Sequence, residues 1–150
     1  MRCYPDTSFL CSIYRERAGS EAASAYVARL EGPLIITSLL QFEFEQGVRF
    51  EVFRNNRDRS KGYGEGEGTA MLVDFESDLR HGVIQIVPFD WSDVYARAAR
   101  LSEKHTASNG NRAFDILHVA TALHLGAREF LTFDERQRRL AEAEGLTVPL

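Results

Sequence analysis

Apolar and polar positions along the chain change period repeatedly, from the short apolar runs of strands to the three- and four-residue spacing of helices. The opening "RCYPDTSFLCSIYRERAG" predicts a short strand ending at Pro5, then a helix begun by Asp6, Thr7 or Ser8, with Gly19 past its end. "SEAASAYVARLEG" predicts a second helix, capped by Ser20 and stopped by Gly32, and "PLIITS" a β-branched strand. From Ser38 the apolar spacing predicts a long helix to about Asn55. The texture then changes, because "RDRSKGYGEGEG" mixes charge with four glycines and lacks apolar residues to bury, which predicts a mobile loop. "TAMLVDFESDLRHG" predicts a helix closed by Gly82, "VIQIVPF" a strand, and "SDVYARAARLSEKHTA" an amphipathic helix capped by Ser92. After the punctuation "SNGN", the apolar "RAFDILHVATALHLGA" predicts a helix, "REFLTF" a strand, "DERQRRLAEAEG" a final helix, and "LTVPL" a candidate last strand.

Strands alternating with helices over short connections predict an α/β protein with a central parallel sheet covered on both faces. Ligands of such sheets sit beyond the carboxyl ends of the strands. No internal repeat or long linker divides the 150 residues, so one domain, 1–150, is expected.

Composition narrows the picture. With 44% hydrophobic and 27% charged residues the chain reads as soluble and globular. No apolar stretch approaches the ~20 residues of a membrane span, and "MRCYPDTSF" has an acid and no apolar core as a signal peptide would. Two cysteines without CxxC spacing, Cys3 and Cys11, suit core positions in a reducing cytoplasm. A net charge of −4 argues against a surface coated in basic residues for nonspecific nucleic-acid binding, though not against a local basic rim.

The acids carry the chemistry. Asp6 and Asp134 stand at strand-to-helix junctions and suit N-caps; Gln137, three residues after Asp134, completes a capping-box pattern. Asp90 belongs to the same class. Glu43 shares a helix face with Leu39, Leu40, Gly47 and Phe50, a core-directed stripe. Glu45 falls beside Gln41 and Arg49 on the wet face instead. Asp115 is surrounded by apolar residues, while Asn109 and Asn111 are better placed to cap its helix. A buried acid needs a partner, which leaves either a bridge to an arginine such as Arg112 or a metal ion. Four carboxylates converging at one end of a sheet would repel unless a cation neutralised them. Oxygen ligands without a His pair or Cys cluster select magnesium (Mg2+) or manganese (Mn2+), and that chemistry is phosphodiester hydrolysis.

"YPDTSFL", "TSLLQFEFEQGVR", "RAFDILHVATALHLGA" and "REFLTFDERQRRLAEAEGL" together resemble the PIN domain, in particular the VapC-type toxins of bacterial toxin–antitoxin systems, over residues 3 to about 146. The resemblance implies a three-layer α/β/α sandwich around a parallel sheet of four or five strands, and a magnesium- or manganese-dependent ribonuclease. By the family pattern Asp6, Glu43 and Asp115 are the core acids and Asp134 the fourth, with Thr7, Ser8 and Thr132 as supporting polar positions. It also implies inhibition by a cognate antitoxin and a homodimer, for which exposed Phe residues on the Ser38 helix would suit. The sequence departs from the pattern at Pro5 and at "GYGEGEG".

Candidates for phosphate contacts are Arg54, Arg57, Arg59 and Lys61 around the glycine-rich segment, and Arg136, Arg138 and Arg139 on the last helix. Tyr63 could stack a base, although a disordered loop tip accounts for it as well. His118, one turn beyond Asp115, suits helix packing better than metal binding. "KGYGEGEG" lacks the ending and the preceding strand of a nucleotide-binding loop. Ser8 stands where an aspartyl phosphoryl-transfer enzyme would need a second acid. The competing readings are a housekeeping PIN nuclease in RNA processing or DNA repair, and an inert PIN-fold binding module.

Overall fold

The computed structural model describes residues 2–150. Two compact units make up the chain, one formed by the residues up to Phe9 with Val87–Leu150, the other by Leu10–Ile86.

In the first unit, β1 (Cys3–Pro5) pairs in parallel with β4 (Glu129–Leu131) in the register Tyr4↔Phe130, Pro5↔Leu131. Pro5 is the last residue of its strand, where a missing N–H costs least. Helix α1 (Thr7–Tyr14) starts here and ends in the second unit. The remaining helices of the unit are α5 (Trp91–Leu101), α6 (Ala107–Asn109), α7 (Ala113–His124) and α8 (Glu135–Ala143), with a π-helical turn at Ser102–Thr106. Asp90 caps α5 by accepting the Ser92 and Asp93 N–H groups, so the cap is Asp90 and not Ser92. Tyr4, Val119, Ala120, Phe130 and Leu131 are fully buried around the strand pair, and His118 lies among them against the rings of Tyr4 and Phe114. "LTVPL" contributes a single parallel bridge, Glu129↔Thr147, rather than a strand.

In the second unit, β2 (Leu34–Ile36) pairs in parallel with β3 (Ile84–Ile86) beside α2 (Ser20–Val27), α3 (Ser38–Arg57) and α4 (Glu65–Arg80). The fold is thus α/β with parallel strands, and hydrogen bonding among the described residues joins the strands as two pairs. Gly19, in a left-handed conformation, takes the cap position of α2; Ser20 Oγ instead accepts the Arg17 N–H and donates to the Arg15 carbonyl.

The predicted mobile loop is a short connection leading straight into α4, which begins at Glu65 inside the glycine-rich stretch. Packing of α3 on α4 overrides the low helix propensity of glycine. A Cβ at Gly68 would lie 2.6 Å from Val52 Cγ2, so only glycine lets the two helices approach this closely. Gly62 has φ +58°, and a Cβ there would sit 2.0 Å from the Glu51 carbonyl oxygen. Tyr63 is buried under the Arg15 guanidinium, 4.9 Å above its ring, which removes it from base stacking. On α3 the buried stripe is Leu40, Phe44 and Val48. Phe50, expected inside, is 52% exposed, as are Phe42 and Phe53 to similar degrees.

Candidate functional site

The site of the first unit follows from strand pairing. Because β1 and β4 run in parallel and in register, Asp6 and Thr132 leave the carboxyl ends of adjacent strands side by side, and the Asp6 N–H bonds the Leu131 carbonyl at 3.0 Å. Asp6 then turns into α1. One carboxylate oxygen, Oδ1, accepts the Phe9 N–H at 2.9 Å, the expected capping bond, and the Ser8 hydroxyl at 2.7 Å. The other, Oδ2, accepts the Thr132 hydroxyl at 2.6 Å and the Gln137 amide at 2.8 Å. A carboxylate offers about four acceptor sites. Asp6, with no exposed surface, has all four filled by neutral donors. Burial still pushes its pKa above the ordinary value, against the lowering by the Thr132, Ser8 and Phe9 hydrogen bonds and by His118.

Asp134 caps α8, its Oδ1 accepting the Arg136 and Gln137 N–H groups at 2.8 and 3.1 Å. The capping box predicted with Gln137 is only half present. The Asp134 N–H goes to Thr132 Oγ1 at 2.9 Å, and the Gln137 side chain reaches Asp6 instead. Gln137 is buried, and its Oε1 has no hydrogen-bond partner among the described residues. Its role escaped the sequence reading, although one signal was available: Gln137 shares the face of Leu140 and Ala141, an amide on an apolar stripe.

Asp115 is 4% exposed, and capping does contribute to it, contrary to expectation. Helix α7 starts at Ala113, after Arg112 rather than Asn109 or Asn111, because α6 and the left-handed Gly110 occupy the preceding residues. Asp115 is therefore the third helical residue, and its Oδ2 accepts the Arg112 N–H at 2.9 Å. The Arg112 guanidinium lies 3.6 Å from Asp115 Oδ2 and 4.0 Å from Asp134 Oδ2, so one exposed cation spans both acids. A continuous chain results: Asp6 to Asp134 through Thr132 and Gln137, and Asp134 to Asp115 through Arg112. Ser8 also accepts the Phe133 N–H, and Thr7 opens α1. Glu43 is half-buried on α3 in the second unit, at the edge of the buried stripe rather than within it.

Among the described residues, no three Asp, Glu, His or Cys side chains gather as a metal cluster. Three of the four acids expected from sequence lie in the first unit, linked as a hydrogen-bonded chain with a guanidinium between two of them, and Glu43 lies in the second unit. The guanidinium marks where Asp115 and Asp134 attract positive charge, and two carboxylates with water fit the way magnesium is commonly held. Asp6 fits less directly, since a bond to metal must displace one of its four donors.

Of the arginines proposed for phosphate contacts, Arg54 is paired with Glu51 at 2.8 Å and Arg57 lies over the Phe53 ring. Arg59 bonds Asn55, Lys61 pairs with Asp58, and Arg138 with Glu135 and Glu142. Arg136 and Arg139 are exposed and have no acidic partner among the described residues.

No helix among the described residues is long and apolar enough to cross a membrane. No curated protein matches the chain by sequence. Among solved structures, the chain is similar to the crystal structure of Mycobacterium tuberculosis VapC20, a sarcin-ricin-loop cleaving toxin, with a TM-score of 0.65 and 16% identity. The alignment covers 97% of this chain and 96% of that one. The family model of the PIN domain matches residues 3–143, a span that runs through both units. The chain therefore belongs to the PIN-domain family.

Proposed function

We propose that the protein is a ribonuclease that hydrolyses RNA phosphodiester bonds with magnesium or manganese, acting as the toxin of a toxin–antitoxin pair. The observation that carries the reading is the pair Asp115 and Asp134, brought from two different helices onto one cation in a PIN-family chain. A toxin of the same fold whose name describes RNA cleavage supports the substrate class.

Asp115 and Asp134 would hold the ion, with Asp6 behind them and Glu43 in the role the family resemblance gives it. When bound, a divalent ion lowers the pKa of a water and offsets charge developing on phosphate oxygens. The protein's own contribution is positional. Thr132 and Gln137 each bond both Asp6 and Asp134, which ties the two residues into one network. Arg112, with 67% of its side chain exposed, has the planar fork that matches a phosphate as well as a carboxylate, and it can exchange one for the other. A cognate antitoxin and a second copy of the chain are the protein partners in this reading; the exposed Phe42, Phe50 and Phe53 of α3 offer a second copy an apolar surface.

The reading is tested with metal-stripped protein, a labelled RNA and added Mn2+. Asp115→Asn keeps an acceptor for the Arg112 N–H while removing the charge. Cleavage is expected to fall about 100-fold or more, equivalent to several kcal/mol of transition-state stabilisation. Glu43→Gln tests the second unit's acid in the same assay. Wild-type rates in Asp115→Asn would end the proposal. One alternative also has an observation behind it: the four neutral donors on Asp6 suit an inert module of this fold. Such a module would show no carboxylate-dependent Mn2+ binding by calorimetry.

A further inference from the structure

Beside Asp134 lies a polar pocket of about 180 Å3 lined by Ser108, Asn109, Asn111, Arg136, Arg139 and Leu140. Its position follows from the chain. Asn111 directly precedes Arg112, the cation between the two acids, and the N–H of Arg136 is capped by Asp134. The lining therefore includes close chain neighbours of both acids.

Two features of its lining call for a ligand. Arg136 and Arg139 have no acidic partner among the described residues, whereas Arg138 between them is tied to Glu135 and Glu142. Two unneutralised guanidinium groups and the hydroxyl and amides of Ser108 and Asn109 form a donor-rich wall suited to an anion. Asn111 adds a different demand. It is 7% exposed, and its Oδ1 has no hydrogen-bond partner among the described residues. Buried amide oxygens are ordinarily satisfied. The oxygen itself is buried, so contact with a ligand in the pocket requires the side-chain amide to turn about its broad last torsion. A phosphodiester group carries no hydrogen to donate, so an anion alone leaves Asn111 unsatisfied. A ribose attached to it supplies the missing donor.

We propose that this pocket binds one ribose-phosphate unit of the RNA substrate, away from the bond that is cut, with Arg136 and Arg139 on the phosphate and Asn111 Oδ1 accepting the 2′-hydroxyl. The inference rests on the nuclease reading above and deepens it. The pocket sets the register of the strand and selects RNA over DNA, since the 2′-hydroxyl is the group that distinguishes them.

Binding is measured by fluorescence anisotropy on the full chain in EDTA. The probes are a labelled single-stranded RNA, the DNA of the same sequence and the 2′-O-methyl RNA. RNA is expected to bind about 3- to 10-fold tighter than either of the others, the range of one neutral hydrogen bond. Asn111→Leu should remove that preference by weakening RNA alone. Arg136→Gln with Arg139→Gln should weaken all three probes and lower the slope of log affinity against log salt by about 0.7, one phosphate's share on a single strand. Equal binding of the three probes by the wild-type protein overturns the proposal, as does an unchanged salt slope in the arginine variant. If Asn111→Leu does not fold, the 2′-O-methyl comparison on unaltered protein still decides. Affinity for poly-glutamate that falls in the arginine variant while RNA affinity stays would assign the pocket to an acidic peptide and overturn the RNA proposal. Cleavage in Mn2+ is run in parallel. Cleavage without RNA preference overturns the pocket and leaves the nuclease, and RNA preference without cleavage does the reverse.

Discussion

Asp6 and the Asp115–Asp134 pair show two ways of keeping a carboxylate near the ends of parallel strands. Asp6 is fully buried and held by four neutral donors from four residues. The pair shares one guanidinium whose side chain is two-thirds exposed. Hydrogen bonds to a buried charge are part of the fold and cannot leave without cost. A solvated guanidinium contributes little and can be exchanged. In the proposed reading the two regions would do different work: Asp6 would organise the site, and the pair would be where charge is swapped.

The largest effect that would break this comparison is on stability. Thr132→Val keeps the shape while removing the donor to Asp6 Oδ2 and the acceptor of the Asp134 N–H. Losing a hydrogen bond to a charged group and leaving the part-buried Asp134 N–H without its acceptor should together cost about 1.5–3 kcal/mol, read from urea unfolding in EDTA. A loss under about 0.5 kcal/mol would mean that Asp6 does not depend on its donors. The same reasoning makes Asp6→Ala a poor test of catalysis, because it strips four donors of their acceptor at once.

A smaller effect separates the regions by pH. Burial holds the folded Asp6 pKa above its ordinary value of 3.8, so the folded state favours the protonated form. The resulting penalty is absent below pH 3.8, appears as pH rises through the folded pKa, and is complete above it. Asp6→Asn carries no such penalty. Its amide group can be accommodated if the Gln137 amide turns its unused Oε1 toward it. The stability of Asp6→Asn relative to wild type should therefore rise with pH across that window in metal-free buffer. A difference that is flat or falls with pH would contradict the burial argument.

What the sequence revealed divides along similar lines. Caps and junctions were legible where a short polar residue follows an apolar run, as at Asp6, Asp90 and Asp134, because capping is local chemistry. Arg112 was named as the alternative to a metal beside Asp115, and Glu45 was correctly placed with Gln41 and Arg49. What failed depended on contacts between distant residues. The glycines before Thr69 looked like loop residues until α3 packed on α4 and needed the space at Gly68. Gln137 matched a local capping box, yet its side chain crosses to Asp6, 131 positions away in sequence. The neutral donors on Asp6 were also invisible in the sequence, because Thr132 and Gln137 reach it from 126 and 131 positions away.

The smallest expected effect on stability is also the most informative about exchange. Arg112→Met retains the length and apolar stem of the side chain and removes the charge that spans Asp115 and Asp134. A pair with one partner this exposed contributes about 0.2–1 kcal/mol, so the urea midpoint should shift little. Binding of Mn2+ should move the other way. If the guanidinium occupies the place of a metal, its removal uncovers two carboxylates that repel each other, and the ion gains what the arginine had supplied. Calorimetry should then show Mn2+ affinity increased by about 2- to 5-fold, the equivalent of that pair energy. A fall in affinity would mean that Arg112 instead holds the acids in position for the ion, and the division between a fixed acid and an exchangeable pair would no longer stand.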